Sequence, residues 1–207
     1  VLGNSESLGR HLLAHPEHLD WLDADVAPLT ADAVRAELLR SVGADPDAAQ
    51  PVATDPVGDG LRLAYRGHLL RIAAWDVCDP EPIEVMPLVA SALSDLADAT
   101  LEAALAMGRA KVGPNGLKTR LAVVGLGKCG AQELNYVSDV DVLFVAEPVL
   151  DEDGTPLISS EQAVSVATRM AAELTRVCSA FTAAGTIWEV DSALRPEGKA
   201  GQLVRTL

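Results

Sequence analysis

Positive charge is in short supply in this 207-residue chain: 16 Lys and Arg stand against 30 Asp and Glu, for a formal net charge of −14 and a pI near 4.5. Binding a polyanion needs a basic stripe that displaces condensed counterions, so this balance argues against nucleic acid as a partner. Long apolar runs are missing too. No stretch approaches the roughly 20 apolar residues of a membrane-spanning helix, and the opening VLGNSESLGR has neither the basic nor the apolar region of a signal peptide. Cysteine is sparse: Cys78, Cys129 and Cys178 lie about fifty residues apart, with no CxxC and no His at metal-ligand spacing. An odd, scattered set fits a reducing compartment. Together these absences predict a soluble, cytoplasmic protein that engages neither membrane nor polynucleotide.

What is present is enough apolar sequence for a core: 49% of the residues are hydrophobic and only 22% charged, too apolar for intrinsic disorder. All four histidines, His11, His15, His18 and His68, fall in the first third. Three share helical spacing, but Pro16 interrupts them and no acid or Cys pattern accompanies them; they read as surface or capping histidines rather than a zinc site.

The first 112 residues read as helical. Pro16 divides Ser5 to Leu22 into two short helices, and Thr30 caps a helix through Leu38 and Leu39 that stops near Gly43. The aperiodic ADPDAAQPVATDPVGD reads as a surface loop. Further helices are predicted from Asp59 through Trp75 and from Ile83 to Val112, with Pro87 near the start of the second. After Gly113-Pro114-Asn115-Gly116 the texture changes. Strands are predicted at Arg120 to Gly125, Val140 to Ala146 and Thr186 to Val190, with a helix over Glu161 to Ala184. The fold class is α+β: a helical region over 1–115, then a small mixed-sheet unit over 116–207.

Three features of the second part carry chemistry. Gly125-Leu126-Gly127-Lys128-Cys129-Gly130 follows a strand and opens a short helix, where glycines permit a tight turn and free N–H groups attract phosphate. The string formally matches GxGxxG, and Glu147, 22 residues beyond Gly125, sits where a dinucleotide-binding Rossmann unit places its ribose-binding acid. It is not a Walker A loop, because Cys129 stands where Ser or Thr would bind magnesium. The second feature is Ser138-Asp139-Val140-Asp141: residues two apart on a strand share a face, so Asp139 and Asp141 stand about 7 Å apart along the chain at ~3.3 Å per residue. They can converge on divalent cations, or be merely solvated at the strand start. The third is Trp188 to Lys199, where Asp191 can supply a third carboxylate and Arg195 and Lys199 can meet phosphate charge; alone it is an ordinary strand end and Pro/Gly turn.

A Gly-rich loop, a DxD strand and a single Asp on a later strand follow the order of the nucleotidyltransferase superfamily that includes polymerase β. Two metals held by carboxylates can clamp the entering and leaving oxygens of a displacement at phosphorus. The strings GLGKCGAQELNYVSDVDVLFV and EVDSALRPEGKAGQLVRTL further resemble the paired signatures of the glutamine synthetase adenylyltransferase/adenylyl-removing enzyme family, and LGNSESLGRHLLAHPEHLDWL resembles that family's helical preamble. The resemblance implies a polymerase-β-like nucleotidyltransferase core. It implies that Asp139, Asp141 and Asp191 bind two Mg2+ ions, and that Gly127, Lys128, Ser138 and Arg195 serve an ATP, ADP or AMP phosphate group. Ala193 stands where the family usually has an Arg.

Family members carry two such halves, one removing AMP from glutamine synthetase and one attaching it. Asn135 in ELNY, the Cys in GKCGA and the ending QLVRTL resemble the N-terminal, AMP-removing half of actinobacterial members, and an Arg-over-Lys bias of 12 to 4 suits that source. Family catalytic halves extend past the LVRTL string, so an incomplete core is expected here. The resemblance names glutamine synthetase as protein substrate. It makes the helical first part a candidate surface for a PII-type nitrogen-signalling protein, although those helix faces serve equally well as core alone.

Overall fold

A computed structural model describes residue 3 and residues 5–22, 26–55, 57–195 and 198–206. Local chemistry sets most helix limits. In α1 (Glu6–Ala14) the Ser5 hydroxyl accepts the Leu8 N–H, and Pro16 opens a separate 3-10 segment, Pro16–Leu22. In α2 (Ala31–Ser41) the Thr30 hydroxyl caps Ala33 N. Then come α3 (Asp59–Cys78) and the long α4 (Pro82–Val112), whose Pro82 occupies the first turn, where its missing N–H costs nothing, and which tolerates Pro87 within.

The loop between α2 and α3 is more than surface. Pro51, Ala44 and Ala53 are buried, Ala53 N donates to Ala106 O at 3.1 Å, and Arg109 Nη1 donates to Pro51 O at 3.1 Å. Its backbone groups find fixed partners on α4, which the aperiodic sequence did not reveal.

The sheet begins with β1 (Thr119–Gly125), which pairs antiparallel with β2 (Val140–Pro148) from Thr119↔Pro148 to Gly125↔Val142. The four-residue α5 (Gly127–Gly130) follows β1, and α6 (Ser160–Ser179) follows β2 behind a reciprocal Ser159/Gln162 capping box. Two short strands, β3 (Val190–Asp191) and β4 (Val204–Arg205), both run parallel to β2, so the sheet is mixed. The antiparallel β1–β2 pair overturns the Rossmann alternative, which needs parallel strands joined by a crossover helix. Glu147 is instead the cross-strand partner of Arg120, at 3.2 Å.

Two expectations need adjustment. The strand over Thr186 to Val190 shrinks to Val190–Asp191, because Thr186 and Ile187 direct their donors to the Cys178 carbonyl at the end of α6 (3.4 and 3.2 Å). Helix α6 stops at Ser179 rather than Ala184, its last carbonyls taken by buried Arg62, whose Nη2 donates to Val177 O (2.6 Å) and Ala180 O (3.3 Å). Strand β4 was not anticipated.

One core cluster runs from Leu38 and Leu39 through Leu61 and Leu96 to Val140, Phe144, Met170 and Leu174. Each fully buried leucine contributes on the order of 2 kcal/mol. Small residues let α4 and α6 approach closely: a Cβ on Gly108 would lie 2.8 Å from the Met170 carbonyl oxygen.

The capping expectation holds for His15, the half-buried C-cap of α1, but not for His11 and His68. His11 and His68 are buried, His11 Nε2 and His18 Nδ1 share a hydrogen bond of 2.9 Å, and Trp21 stacks on His18 and meets His68 edge-on. The rings close over the contact between the N-terminal helices and α3, joined by a small apolar cluster of Leu8, Leu12, Leu70 and Ala73. The sequence pattern hid this because His68 comes from a separate helix.

Candidate functional site

Strand β2 alternates as its period of two demands: Val140, Val142, Phe144 and Ala146 are buried, leaving Asp139 and Asp141 to the opposite face. The donation of Val140 N to Glu189 O (3.0 Å) sets the parallel register with β3, which brings Asp191 opposite Asp141. One carboxylate oxygen from each of Asp139, Asp141 and Asp191 lies within 4.8 Å of the others, with Asp139 exposed and the other two half-buried. Asp191 Oδ1 also accepts Ala193 N at 2.7 Å, which closes a turn immediately after β3.

The glycine loop is attached to the same strand. Leu126 N donates to Asp141 O (2.8 Å), and Gly127 takes φ +53° so close to Asp141 that a Cβ there would lie 2.8 Å from Asp141 Oδ2. Glycine is required twice over, for the left-handed backbone and for the approach. Gly130 packs against the Gly125 carbonyl and closes the turn. Lys128 projects exposed from α5.

Burial holds the Asp141 carboxyl above its usual range, and the neighbouring charges of Asp139 and Asp191 push it the same way; Lys128 opposes them. Three hard oxygen donors, mutually repelling and short of side-chain counter-charge, fit a divalent cation such as Mg2+. The nearby thiol of Cys129 is no nucleophile: burial, then the Asp98 carboxylate beside it, pushes it up to about 12.

The remaining predicted residues are placed differently. Ser138 is half-buried immediately before Asp139. Arg195 folds back on its own turn, Nη1 donating to Ser192 O (2.6 Å) and Nε to Gly201 O (3.3 Å). Pro196, Glu197 and the Lys199 side chain lie outside the described residues. Sequence reasoning missed the supports on α4. Ser94 Oγ accepts Leu134 N (3.3 Å), Ser91 Oγ donates to Gln132 Oε1 (2.9 Å), and Asp98 Oδ1 accepts the Cys129 thiol (3.8 Å). Ser91, Ser94 and Asp98 recur at helical spacing on one helix, a polar stripe within an otherwise apolar stretch that could have marked them.

Comparison with known proteins agrees with the motifs. The family model for glutamate-ammonia ligase adenylyltransferase matches residues 1–207. Three relatives carry the name bifunctional glutamine synthetase adenylyltransferase/adenylyl-removing enzyme. That of Cutibacterium acnes is 50% identical over 210 residues, covering 100% of this chain and 21% of the relative. That of Streptomyces coelicolor is 47% identical over 208 residues (100% and 19%), and that of Mycolicibacterium smegmatis 45% over 213 (100% and 20%). The chain thus spans about a fifth of the length of the curated relatives it matches. No helix among the described residues is long and apolar enough to cross a membrane.

Proposed function

The chain belongs to the glutamate-ammonia ligase adenylyltransferase family, and from that premise we propose that it is the metal-binding part of an N-terminal, adenylyl-removing half, with residues 116–207 forming a polymerase-β-like nucleotidyltransferase core. The reaction is phosphorolysis of an AMP-tyrosine on glutamine synthetase. An oxygen of inorganic phosphate attacks the α-phosphorus, the bond from phosphorus to the tyrosine oxygen breaks, that oxygen takes a proton, and ADP leaves.

The observation that carries this reading is the convergence of Asp139, Asp141 and Asp191 beside the glycine loop. Bound Mg2+ would supply the positive charge that offsets the developing negative charge on phosphate oxygens. Asp139, Asp141 and Asp191 would hold it. Lys128 and the N–H groups near Gly127 would orient the attacking phosphate or the AMP phosphate, and Ser138 would steady the strand start. Positioning of this kind supplies most of the rate in phosphoryl transfer, which asks little covalent help of the protein. Arg195, as placed, supports the 191–201 turn; contact with phosphate would require it to swing out.

The names of the relatives join two activities, and that favours one second reading: transfer of AMP from ATP to the synthetase by the same acids. The proposed partners are glutamine synthetase as protein substrate and a PII-type signalling protein as regulator, in the cytoplasm. Two incubations separate the readings. AMP-modified synthetase with phosphate and Mg2+ should yield ADP, and unmodified synthetase with ATP should remain unmodified; the reverse pattern would reassign the chain to the transferring half.

A further inference from the structure

Asp139 reaches the acid cluster on a loop, Ala131 to Asp139, that has no regular secondary structure. Its hold on the rest of the chain is therefore a matter of individual tethers. Gln132 is tied to Ser91. Leu134 is buried, with its N–H on the fully buried Ser94 hydroxyl, which itself donates to Ala90 O at 3.0 Å. The Tyr136 hydroxyl donates to Asp76 Oδ2 on α3 at 2.7 Å. Beyond it Val137 is 93% exposed and Ser138 half-buried, so among the described residues Tyr136 is the last side-chain tether before Asp139.

Packing does not hold Tyr136 as it holds Leu134. A cavity of about 390 Å³ lies on one side, lined by Leu8, Leu69, Ala73 and Val77. Another of about 420 Å³ lies on the other, lined by Met86, Pro87, Val89 and Leu93. The residues common to both walls are Asp76 and Tyr136, which together form the partition. A ring 39% exposed between two open clefts makes fewer dispersion contacts than a core side chain, so the hydroxyl bond to α3 carries the restraint. Burial, and then donation to the Asp76 carboxylate, holds the phenol above its usual titration range, so it stays a donor at neutral pH.

We propose that Tyr136, held by Asp76, is a positioning residue that sets where the Asp139 carboxylate stands relative to Asp141 and Asp191, and hence how well the three bind a divalent cation. The inference rests on reading the acid cluster as a cation site. A ligand set gains affinity from being held in place before binding, and here the last tether precedes the ligand by only three positions.

Mn2+ titration, read by the electron spin resonance of free Mn2+, tests it on the 207-residue chain, with circular dichroism to establish folding. Tyr136→Phe, which keeps the ring and removes the hydroxyl, should weaken Mn2+ binding about tenfold, as should Asp76→Ala. The two together should weaken it no further than either alone. Asp76→Asn, whose amide oxygen still accepts the phenol, should bind within about threefold of the parent. Affinity of Tyr136→Phe within about twofold of the parent, or Asp76→Asn as weak as Asp76→Ala, would overturn the positioning role. Asp141→Asn distinguishes the underlying reading: it should abolish binding, and parental affinity in that variant would overturn the cation site itself.

Discussion

Asp141 stands opposite Asp191 in the parallel register of β2 and β3, while its own carbonyl accepts the Leu126 N–H of the glycine loop. A single residue thus joins the strand pair to the turn proposed to hold phosphate. The arrangement places negative charges together, and among the described residues Lys128 is the side-chain cation whose charge reaches Asp141. Unfavourable by itself, it would be stabilised by a bound divalent cation.

Cation removal should therefore be visible in stability. At a Mg2+ concentration about ten times its dissociation constant the folded chain gains about 1.4 kcal/mol, or roughly 3 °C in melting temperature for a chain of this size. Chelation should remove that gain. Asp141→Asn should melt higher than the parent without Mg2+, because a repelling charge is gone, and should not respond to Mg2+. Differential scanning fluorimetry with and without EDTA checks both.

Gly127→Ala should damage the site more than its size suggests. The new methyl would meet Asp141 Oδ2 at a backbone angle that L residues rarely adopt. We expect a loss of about 1–3 kcal/mol in urea unfolding, and a fall in Mn2+ affinity as Asp141 moves. Gly154→Ala also has a positive φ but open space around it, so it should lose stability alone.

Arg62 is buried and donates to the Gly58, Val177 and Ala180 carbonyls. Arg62→Met removes those donors from the end of α6 and should cost about 2–4 kcal/mol in urea unfolding. Arg62→Lys should recover only part, since an ammonium cannot reproduce the planar fork.

The histidine cluster gives stability a pH dependence. Burial lowers His11 and His68 to about 4, with the neighbouring histidines adding to the effect and Arg66 and Arg71 opposing charge on them. His68 Nε2 lies 3.0 Å from Glu37 Oε2 but out of line for a hydrogen bond, so the carboxylate does not rescue the cation. Between about pH 4 and 6.5 the unfolded chain binds these protons and the folded chain does not. Stability is therefore fully present above about 6.5 and falls as pH drops towards 4. Melting should be lower at pH 5 than at pH 7.5, and His11→Gln combined with His68→Gln should shrink that difference.

Much of this was legible in the sequence because its signals were local. Thr30 and Pro16 mark helix limits through local chemistry, and the alternation of Val140, Val142 and Phe144 fixes which way Asp139 and Asp141 face. What stayed hidden depends on partners distant in sequence. Thr186 caps α6 instead of extending a strand, Arg109 reaches back to Pro51, and the bond of Tyr136 to Asp76 spans the chain from α3 to the site. The GxGxxG match left a Rossmann alternative open because a glycine turn after a strand looks alike in parallel and antiparallel sheets; the antiparallel return of β2 distinguishes them.

Calorimetric titration with ADP, with and without Mg2+, tests the central claim most directly. The account predicts saturable ADP binding to the parent chain only when Mg2+ is present, and none to Asp141→Asn under either condition. Equal binding by the parent and Asp141→Asn, or binding indifferent to Mg2+, would contradict it.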